Sequence, residues 1–282
     1  KKMIEVLFER NFPYNELKIL ATREREEIIA GISVKVEKTT IDSFNNVDIA
    51  FFAGTEGEKG ASNLFGWEAV KKNAVVIDNG GDFRMDNRVP LVIPEINPHH
   101  LKNHKGFIAN PNCSTTIMLM AVFPIHKRYN VKRIIVSTYQ AVSGTGKDAV
   151  DELDSQIRSY AENSEIRHSV YPYPIVVNTI PEIGGLSDEY TGYYSEEVKM
   201  IKETHKILGT KDIKISATCV RVPVFNGHSE SVTVECEKKI DINDIRKILA
   251  SSSGLNLIDE PEKSGYPIPV NISGKDEVYV GR

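Results

Sequence analysis

Short apolar runs that alternate with helical stretches dominate the first part of the chain. The runs expected to form strands are residues 18–21, 33–36, 48–53, 74–78, 91–93 and 106–109. Fully apolar strands suit a parallel sheet that is covered on both faces, so this pattern predicts a doubly wound α/β domain. Residues 1–9 already have a helical pattern, and neither a strand nor the Gly-rich turn that such domains use to hold a pyrophosphate comes before them.

The rest of the chain has longer strands and fewer crossovers, which is typical of an α+β domain. We expect helices over residues 147–163 and 195–208, a helix with Asp241 as its N-cap, and a long ordered loop around residues 171–185. The expected strands are residues 131–140, 215–224, 231–237 and 278–280. We therefore predict two domains, residues 1–112 and residues 113–282.

Composition limits the classes of partner and compartment. The 282 residues are 40% hydrophobic and carry a formal net charge of −4, without a basic stripe, so we expect no nucleic-acid partner. No apolar run is long enough to span a membrane and no signal-peptide pattern is present, so no membrane partner is expected. Three cysteines without CxxC spacing favour free thiols in the cytoplasm and argue against a metal site or a disulfide framework.

Cys113 lies between a turn signal and a long apolar helix pattern. It follows Asn110, Pro111 and Asn112, and residues 114–126 have no proline before Pro124. A helix dipole and unpaired N–H groups at this position favour a thiolate and would hold an oxyanion formed beside it. Cys113 is therefore a candidate nucleophile, although a buried cysteine without a chemical role would fit this segment alone.

A histidine and an arginine come from a second segment, near the end of an apolar strand pattern. His228 follows a glycine turn between two strand patterns, where an imidazole could serve as a general acid or base. Arg221 lies inside an apolar strand and needs an anionic partner, either a substrate carboxylate or a carboxylate of the protein.

Five motifs, taken together, resemble the aspartate-β-semialdehyde dehydrogenase family. They occur in the family's order and the likeness runs from Lys2 to Arg282. The motifs are Asp82-Phe83-Arg84-Met85-Asp86, Asn110-Pro111-Asn112-Cys113-Ser114, Tyr139-Gln140-Ala141-Val142-Ser143-Gly144, Arg221-Val222-Pro223-Val224 with Gly227-His228-Ser229-Glu230, and Gly274-Lys275-Asp276-Glu277-Val278.

The resemblance implies a fold and a reaction. The fold is a Rossmann-like dinucleotide-binding domain followed by a catalytic and dimerisation domain like the C-terminal domain of glyceraldehyde-3-phosphate dehydrogenase. The reaction is the NADPH-dependent conversion of β-aspartyl phosphate to aspartate semialdehyde and phosphate, on the route to lysine, diaminopimelate, methionine and threonine. A homodimer or a dimer of dimers is implied as well.

The resemblance also assigns roles to residues. Cys113 matches the nucleophile that forms a thioester, His228 the acid/base residue, and Gln140 the residue that orients the substrate. Arg221 matches the arginine that binds the α-carboxylate, and Glu196 and Lys199 match a pair that binds the ammonium and the phosphate. Arg84 and Asn112 match the phosphate-binding groups. The implied cofactor contacts are Thr22, Arg23, Arg25, Gly54, Ser143 and Gly144.

The chain departs from the family pattern where the cofactor would bind. The glycine fingerprint and the long C-terminal helix are not in the sequence, so we expect a segment trimmed at both ends from a longer enzyme. The arginines of Ala21-Thr22-Arg23-Glu24-Arg25 are shifted from the family's serine-arginine arrangement. The alternatives are N-acetyl-γ-glutamyl-phosphate reductase and a catalytically silent paralogue or assembly subunit.

Overall fold

The structure is a computed structural model that describes residues 1–54 and 56–281. The chain forms two compact units. The first consists of Lys1–Asp82 and Lys105–Ile108, and the second of Phe83–His104 and Ala109–Arg282. The predicted division after residue 112 stays a prediction, but the second unit contains Arg84 and the turn before Cys113.

The first unit contains two small sheets. Its elements are helices α1 (Lys2–Glu9) and α2 (Trp67–Lys71) and strands β1 (Ile19–Ala21), β2 (Arg25–Ile29), β3 (Ile32–Lys38), β4 (Ile49–Phe52), β5 (Val75–Asp78) and β6 (Phe107–Ala109), the last residue of which belongs to the second unit. One sheet has the order β1-β3-β2, in which β1 is parallel and β2 antiparallel to β3. The other has the order β4-β5-β6, in which β4 and β5 are parallel.

Within residues 1–112, the structure has one strand that the sequence did not predict, and one predicted strand forms only a single bridge. β2 was not predicted, because its sequence Arg-Glu-Glu-Ile-Ile lacks clear alternation; it forms a hairpin with β3 through Ala30 and Gly31, both of which have positive φ. Residues 91–93 form only one parallel bridge, from Leu91 to Ala109. Proline on both sides of this run, at residues 90 and 94, limits the backbone N–H groups available for a longer ladder.

The second unit is built on a sheet of order β8-β7-β9. Its strands are β7 (Val131–Gln140), β8 (Lys214–Arg221) and β9 (Ser229–Cys236), with a small pair, β10 (Leu255–Leu257) and β11 (Val278–Val280). Strand β7 is central, parallel to β8 and antiparallel to β9. The helices are α3 (Cys113–Tyr129), α4 (Lys147–Ala161), α5 (Ser195–Leu208), α6 (Ile242–Ser251) and α7 (Pro269–Ile272).

Helices α3 and α5 cover one face of this sheet. Alternation along β7 directs Ile134, Val136, Thr138 and Gln140 to the covered face, and all four are buried. Met118 and Leu119 of α3 and Met200 of α5 are buried as well. The long loop between α4 and α5 packs on α4 through an apolar cluster that includes Leu153, Tyr171 and Ile175. The same cluster contains Val142, two residues after β7, so packing fixes the segment that follows the polar end of this strand.

Among residues 1–54 and 56–281, no helix has both the length and the apolar character needed to cross a membrane.

Candidate active site

Cys113 is the first residue of α3, as the sequence predicted. Asn112 caps the helix, because its Oδ1 accepts a hydrogen bond from the Thr115 N–H at 3.1 Å. The Asn112 carbonyl accepts bonds from the Thr116 N–H and hydroxyl, both at 2.9 Å. Cys113 is accessible to solvent. The turn therefore presents an accessible sulfur at a helix N-terminus.

The surroundings of Cys113 oppose the effect of the helix N-terminus that the sequence predicted. Protein atoms around Cys113 limit hydration of a charged sulfur even though solvent reaches the residue, and this desolvation raises the pKa of the thiol. The carboxylate of Glu196 raises the pKa further, while the Ser114 N–H and the charge of Arg84 act in the opposite direction. Desolvation outweighs the helix N-terminus, so the free site holds a neutral thiol.

Glu196, in the first turn of α5, joins the cysteine turn to the end of β7. Its Oε1 accepts bonds from Asn112 Nδ2 at 2.8 Å and from Gln140 Nε2 at 3.1 Å. Lys199 Nζ lies 3.6 Å from Oε2. Burial alone would raise the pKa of Glu196, but the Asn112 hydrogen bond and the Lys199 charge help to lower it below its usual value. Glu196 is therefore a buried anion that organises the predicted site residues.

Arg84 is buried and faces the same turn. Its Nε donates to the Asn110 carbonyl at 2.8 Å, and its Nη1 lies 3.2 Å from Oε1 of Glu203 on α5. The side chain of Asn112 is likewise engaged, through Nδ2 to Glu196 and through Oδ1 to Thr115. The two residues predicted to bind phosphate thus contact the protein around Cys113.

His228 lies beside the segment that follows β7. Its Nδ1 accepts a hydrogen bond from the Ala141 N–H at 2.9 Å, which leaves the proton of the neutral ring on Nε2. Burial lowers the pKa of His228 to about 4, and the nearby Arg221 charge contributes to the shift. The imidazole is therefore neutral at pH 7 and can donate a hydrogen bond through Nε2.

Arg221, at the end of β8, is a buried cation whose hydrogen bond goes to a neutral backbone group. Its Nη1 donates to the Ala141 carbonyl at 2.8 Å, and its guanidinium carbon lies 6.0 Å from the centre of the Tyr171 ring. Only 6% of the residue is exposed, and its buried Nε has no hydrogen-bond partner. Across the part of the chain that the structure describes, no carboxylate lies within ion-pair distance of Arg221. Of the two partners considered from sequence, the structure therefore favours an external carboxylate.

The predicted cofactor residues lie in both units. In the first unit, Thr22 and Arg23 are exposed directly after β1, and Arg25 is exposed at the start of β2, where its Nε lies 2.6 Å from Glu27 Oε1. Gly54 follows β4 and packs closely, because a Cβ there would lie 3.0 Å from the Ala61 Cβ. These groups fit a dinucleotide phosphate, since exposed arginines supply charge and glycine permits close backbone approach. In the second unit, Ser143 and Gly144 form a 3-10 turn, Val142–Thr145.

Two residues of the site were not predicted. Glu203 lies seven positions after Glu196, on the same face of α5, and this helical spacing is the signal that could have identified it. Tyr171 packs against Arg221, and its hydroxyl lies 2.9 Å from Thr145 Oγ1. It comes from the irregular loop, where no periodicity could indicate its role.

Comparison with known proteins identifies the family. Sequence models described as the semialdehyde dehydrogenase NAD binding domain and dimerisation domain match residues 1–104 and 122–282. Proteins named aspartate-semialdehyde dehydrogenase from Aquifex aeolicus (strain VF5) and Bacillus subtilis (strain 168) are 42% and 41% identical to this chain. The alignments cover the whole chain and 84% and 83% of those proteins.

A solved structure agrees with these matches. Aspartate semialdehyde dehydrogenase II from Vibrio cholerae superimposes with a TM-score of 0.92 at 39% identity, covering 100% of this chain and 83% of that one. With matches of this identity over its full length, the chain belongs to the aspartate-semialdehyde dehydrogenase family.

Proposed function

We propose that this chain carries out the reductive dephosphorylation of L-aspartyl-4-phosphate to L-aspartate-4-semialdehyde, with Cys113 as nucleophile. The observation that carries the proposal is the buried, carboxylate-free Arg221 in the same unit as a helix-initial cysteine. The Vibrio cholerae enzyme has also been solved as a complex with ASA, which supports the same substrate here.

The nucleophilic step forms a bond between Cys113 Sγ and the acyl carbon and breaks the bond from that carbon to the phosphate oxygen. The thiol proton leaves with the phosphate, which is consistent with a neutral thiol in the free site. The N–H groups at the start of α3 stabilise the negative oxygen of the tetrahedral intermediate. The product of this step is a thioester on Cys113.

NADPH, when bound, supplies the hydride that reduces this thioester. Thr22, Arg23, Arg25 and Gly54 of the first unit would hold the cofactor, and Ser143 and Gly144 are proposed as cofactor contacts on the resemblance alone. His228 Nε2–H donates a hydrogen bond to the oxygen of the resulting thiohemiacetal. The carbon–sulfur bond then breaks as the oxygen re-forms the carbonyl, and the hydroxyl proton, first taken from solvent when the hydride adds, passes to the leaving sulfur. The products are the aldehyde and the neutral Cys113 thiol.

Substrate recognition uses groups of opposite charge. We assign the substrate α-carboxylate to Arg221. Its Nη1 donates to the Ala141 carbonyl, while the N–H groups of Nε and Nη2 can donate to the carboxylate. Glu196 takes the ammonium, Gln140 orients the acyl group, and Lys199 takes the phosphate. Arg84 and Asn112, which the resemblance assigned to phosphate, are bonded to Glu203 and Glu196, so we assign them to holding the turn.

The outer face of the β8-β7-β9 sheet supports self-association. Ile135 and Tyr139 of central strand β7 are 50% and 45% exposed on this face, between the small polar side chains of Ser216, Thr218, Ser231 and Thr233. We propose that a second copy packs on this face in a homodimer, in keeping with the dimerisation domain that matches here. The three free cysteines support a cytoplasmic location.

Mass spectrometry of the protein exposed briefly to β-aspartyl phosphate tests the proposal without any cofactor. We expect one aspartyl adduct, mapped to the peptide that contains Cys113 and absent from the Cys113→Ser variant. Cys219 is a matched control in the same molecule, because burial raises the pKa of its thiol to about 12. A folded protein that takes up no aspartyl group, but is acylated by N-acetyl-γ-glutamyl phosphate, would assign the chain to the other reductase.

A further inference from the structure

Glu203 is a buried carboxylate with no role in the reaction described above. It lies on α5, two helical turns after Glu196, and only 1% of the residue is exposed. Burial raises the pKa of its carboxyl, while Arg84 and the Asn112 N–H favour the charged form. A buried charge is costly unless its partners are well placed, so its contacts indicate what it does.

Both oxygens of Glu203 face the segment that precedes the nucleophile. Oε2 accepts the Asn112 N–H at 2.6 Å, and Oε1 lies 3.2 Å from Arg84 Nη1. Arg84 in turn donates from Nε to the Asn110 carbonyl at 2.8 Å. One carboxylate thus holds the Asn110–Asn112 turn at both ends, directly at Asn112 and through Arg84 at Asn110.

The backbone that carries Arg84 is held by the same helix. Lys206, three residues after Glu203, donates from Nζ to the carbonyls of Arg84, Asp86 and Val89 at 2.7, 2.8 and 2.8 Å. An ammonium has three donors, so these bonds use all of them. Lys206 therefore holds the backbone of Arg84 in place while the Arg84 side chain contacts Glu203.

We propose that Glu203 is a positioning residue that fixes the Asn110–Asn112 turn, and with it the Cys113 sulfur, and that offsets the charge of Arg84 beside the nucleophile. The inference rests on the proposed function for its effect on turnover. Its effect on the chemistry of Cys113 can be measured without any substrate.

The charge of Glu203 has a consequence of definite sign. The charge of Arg84 lowers the pKa of Cys113. Because Glu203 Oε1 lies 3.2 Å from Arg84 Nη1, we expect an ionised Glu203 to offset part of that influence. The Glu203→Gln variant keeps an oxygen for the Asn112 N–H but loses the negative charge and turns an N–H group toward Arg84. We therefore expect a lower pKa for the Cys113 thiol in this variant and a less rigid Asn110–Asn112 turn.

The test compares iodoacetamide alkylation of Cys113 from pH 6 to 10 in the full protein, read by peptide mass, with steady-state kinetics. In Glu203→Gln we expect the alkylation midpoint to fall by about half a pH unit. We also expect kcat to fall by about tenfold or more with little change in KM, because the substrate contacts remain and the nucleophile is displaced. Glu203→Asp keeps the charge but its side chain is one methylene shorter. We expect the alkylation midpoint to equal that of the wild type and kcat to fall, because the shorter side chain holds the turn less well.

Glu189→Gln is the matched control, because Glu189 pairs with Lys202 on the exposed side of the same helix. It should change neither the midpoint nor kcat. A folded Glu203→Gln protein in which the alkylation midpoint of Cys113 and kcat are both unchanged overturns the proposal. If Glu203→Gln does not fold, a Glu203→Asp variant with the kcat of the wild type overturns it. Absence of acylation in the wild type contradicts the proposed function instead, and the alkylation comparison still decides the role of Glu203.

Discussion

At the residue scale, burial shifts the pKa values of the two proposed catalytic groups in opposite directions. It raises the pKa of the Cys113 thiol and lowers the pKa of the His228 imidazole to about 4. Both groups are therefore neutral in the free site, unlike the thiolate–imidazolium pair of many cysteine nucleophiles. The nucleophile must be activated when the substrate binds, and the histidine is prepared to donate a hydrogen bond.

The pH dependence of catalysis should reflect this arrangement. A histidine with a pKa near 4 gains its proton only at about that pH, so kcat/KM should show no acidic limb from His228 between pH 5 and 8. His228→Ala should lower kcat by about 10²-fold, and His228→Gln should lose less because its amide still donates. The measurement is kcat/KM across this range for all three proteins. A wild-type limb near pH 6.5 that His228→Gln abolishes would show that the imidazole titrates in this range and that burial does not lower its pKa.

At the element scale, α5 carries most of the polar organisation of the site. Glu196 and Glu203 lie on one face and hold opposite sides of the cysteine turn. The sequence predicted the bounds of α5 and of β7 as the structure has them, because both have strong periodicity. It could not show that Glu203 meets Asn112, which is 91 residues away in sequence, since that contact depends on tertiary packing.

Other parts of the site could be predicted from local sequence patterns. The apolar pattern after Asn112 was sufficient to place Cys113 at the start of a helix, and the buried cation at Arg221 was evident from its strand. The pKa of Cys113 could not be predicted from the sequence, because it depends on how closely the fold surrounds the sulfur. Electrostatic predictions from a helix start alone therefore need the burial that only the fold supplies.

The 3-10 turn Val142–Thr145 gives a prediction at the element scale. A Cβ on Gly144 would lie 3.0 Å from His228 Nε2 and 3.2 Å from Arg221 Nη1, and Ala141 holds both of these side chains. We expect Gly144→Ala to raise the KM for aspartate semialdehyde by about tenfold, because the displaced Arg221 loses alignment with the carboxylate. Gly185→Ala, with nothing within 4 Å of the added carbon, is the control. Kinetics of Gly144→Ala equal to those of the wild type would show that the Val142–Thr145 turn moves to accommodate the methyl group and that Arg221 is not displaced.

At the scale of the whole molecule, the β8-β7-β9 sheet has two faces of different character. Helices α3 and α5 cover one face, whereas the other exposes apolar side chains on its central strand. A central strand is hydrogen-bonded on both edges, so further contact must come through its face. Small polar residues around Ile135 and Tyr139 leave room for close packing against an identical surface.

A charge placed at the centre of that face tests the proposed homodimer. In a twofold interface each Ile135→Asp carboxylate would be buried near its own copy, so repulsion and desolvation should weaken association by about 100-fold or more. We expect light scattering to give the mass of a dimer for the wild type and of a monomer for Ile135→Asp at the same concentration. Ile28→Asp is the control, because Ile28 is 70% exposed on the β2–β3 hairpin of the other unit, and it should leave the mass unchanged. A dimer that tolerates Ile135→Asp would have to form through another surface, and this sheet would then need a different partner to cover Ile135 and Tyr139.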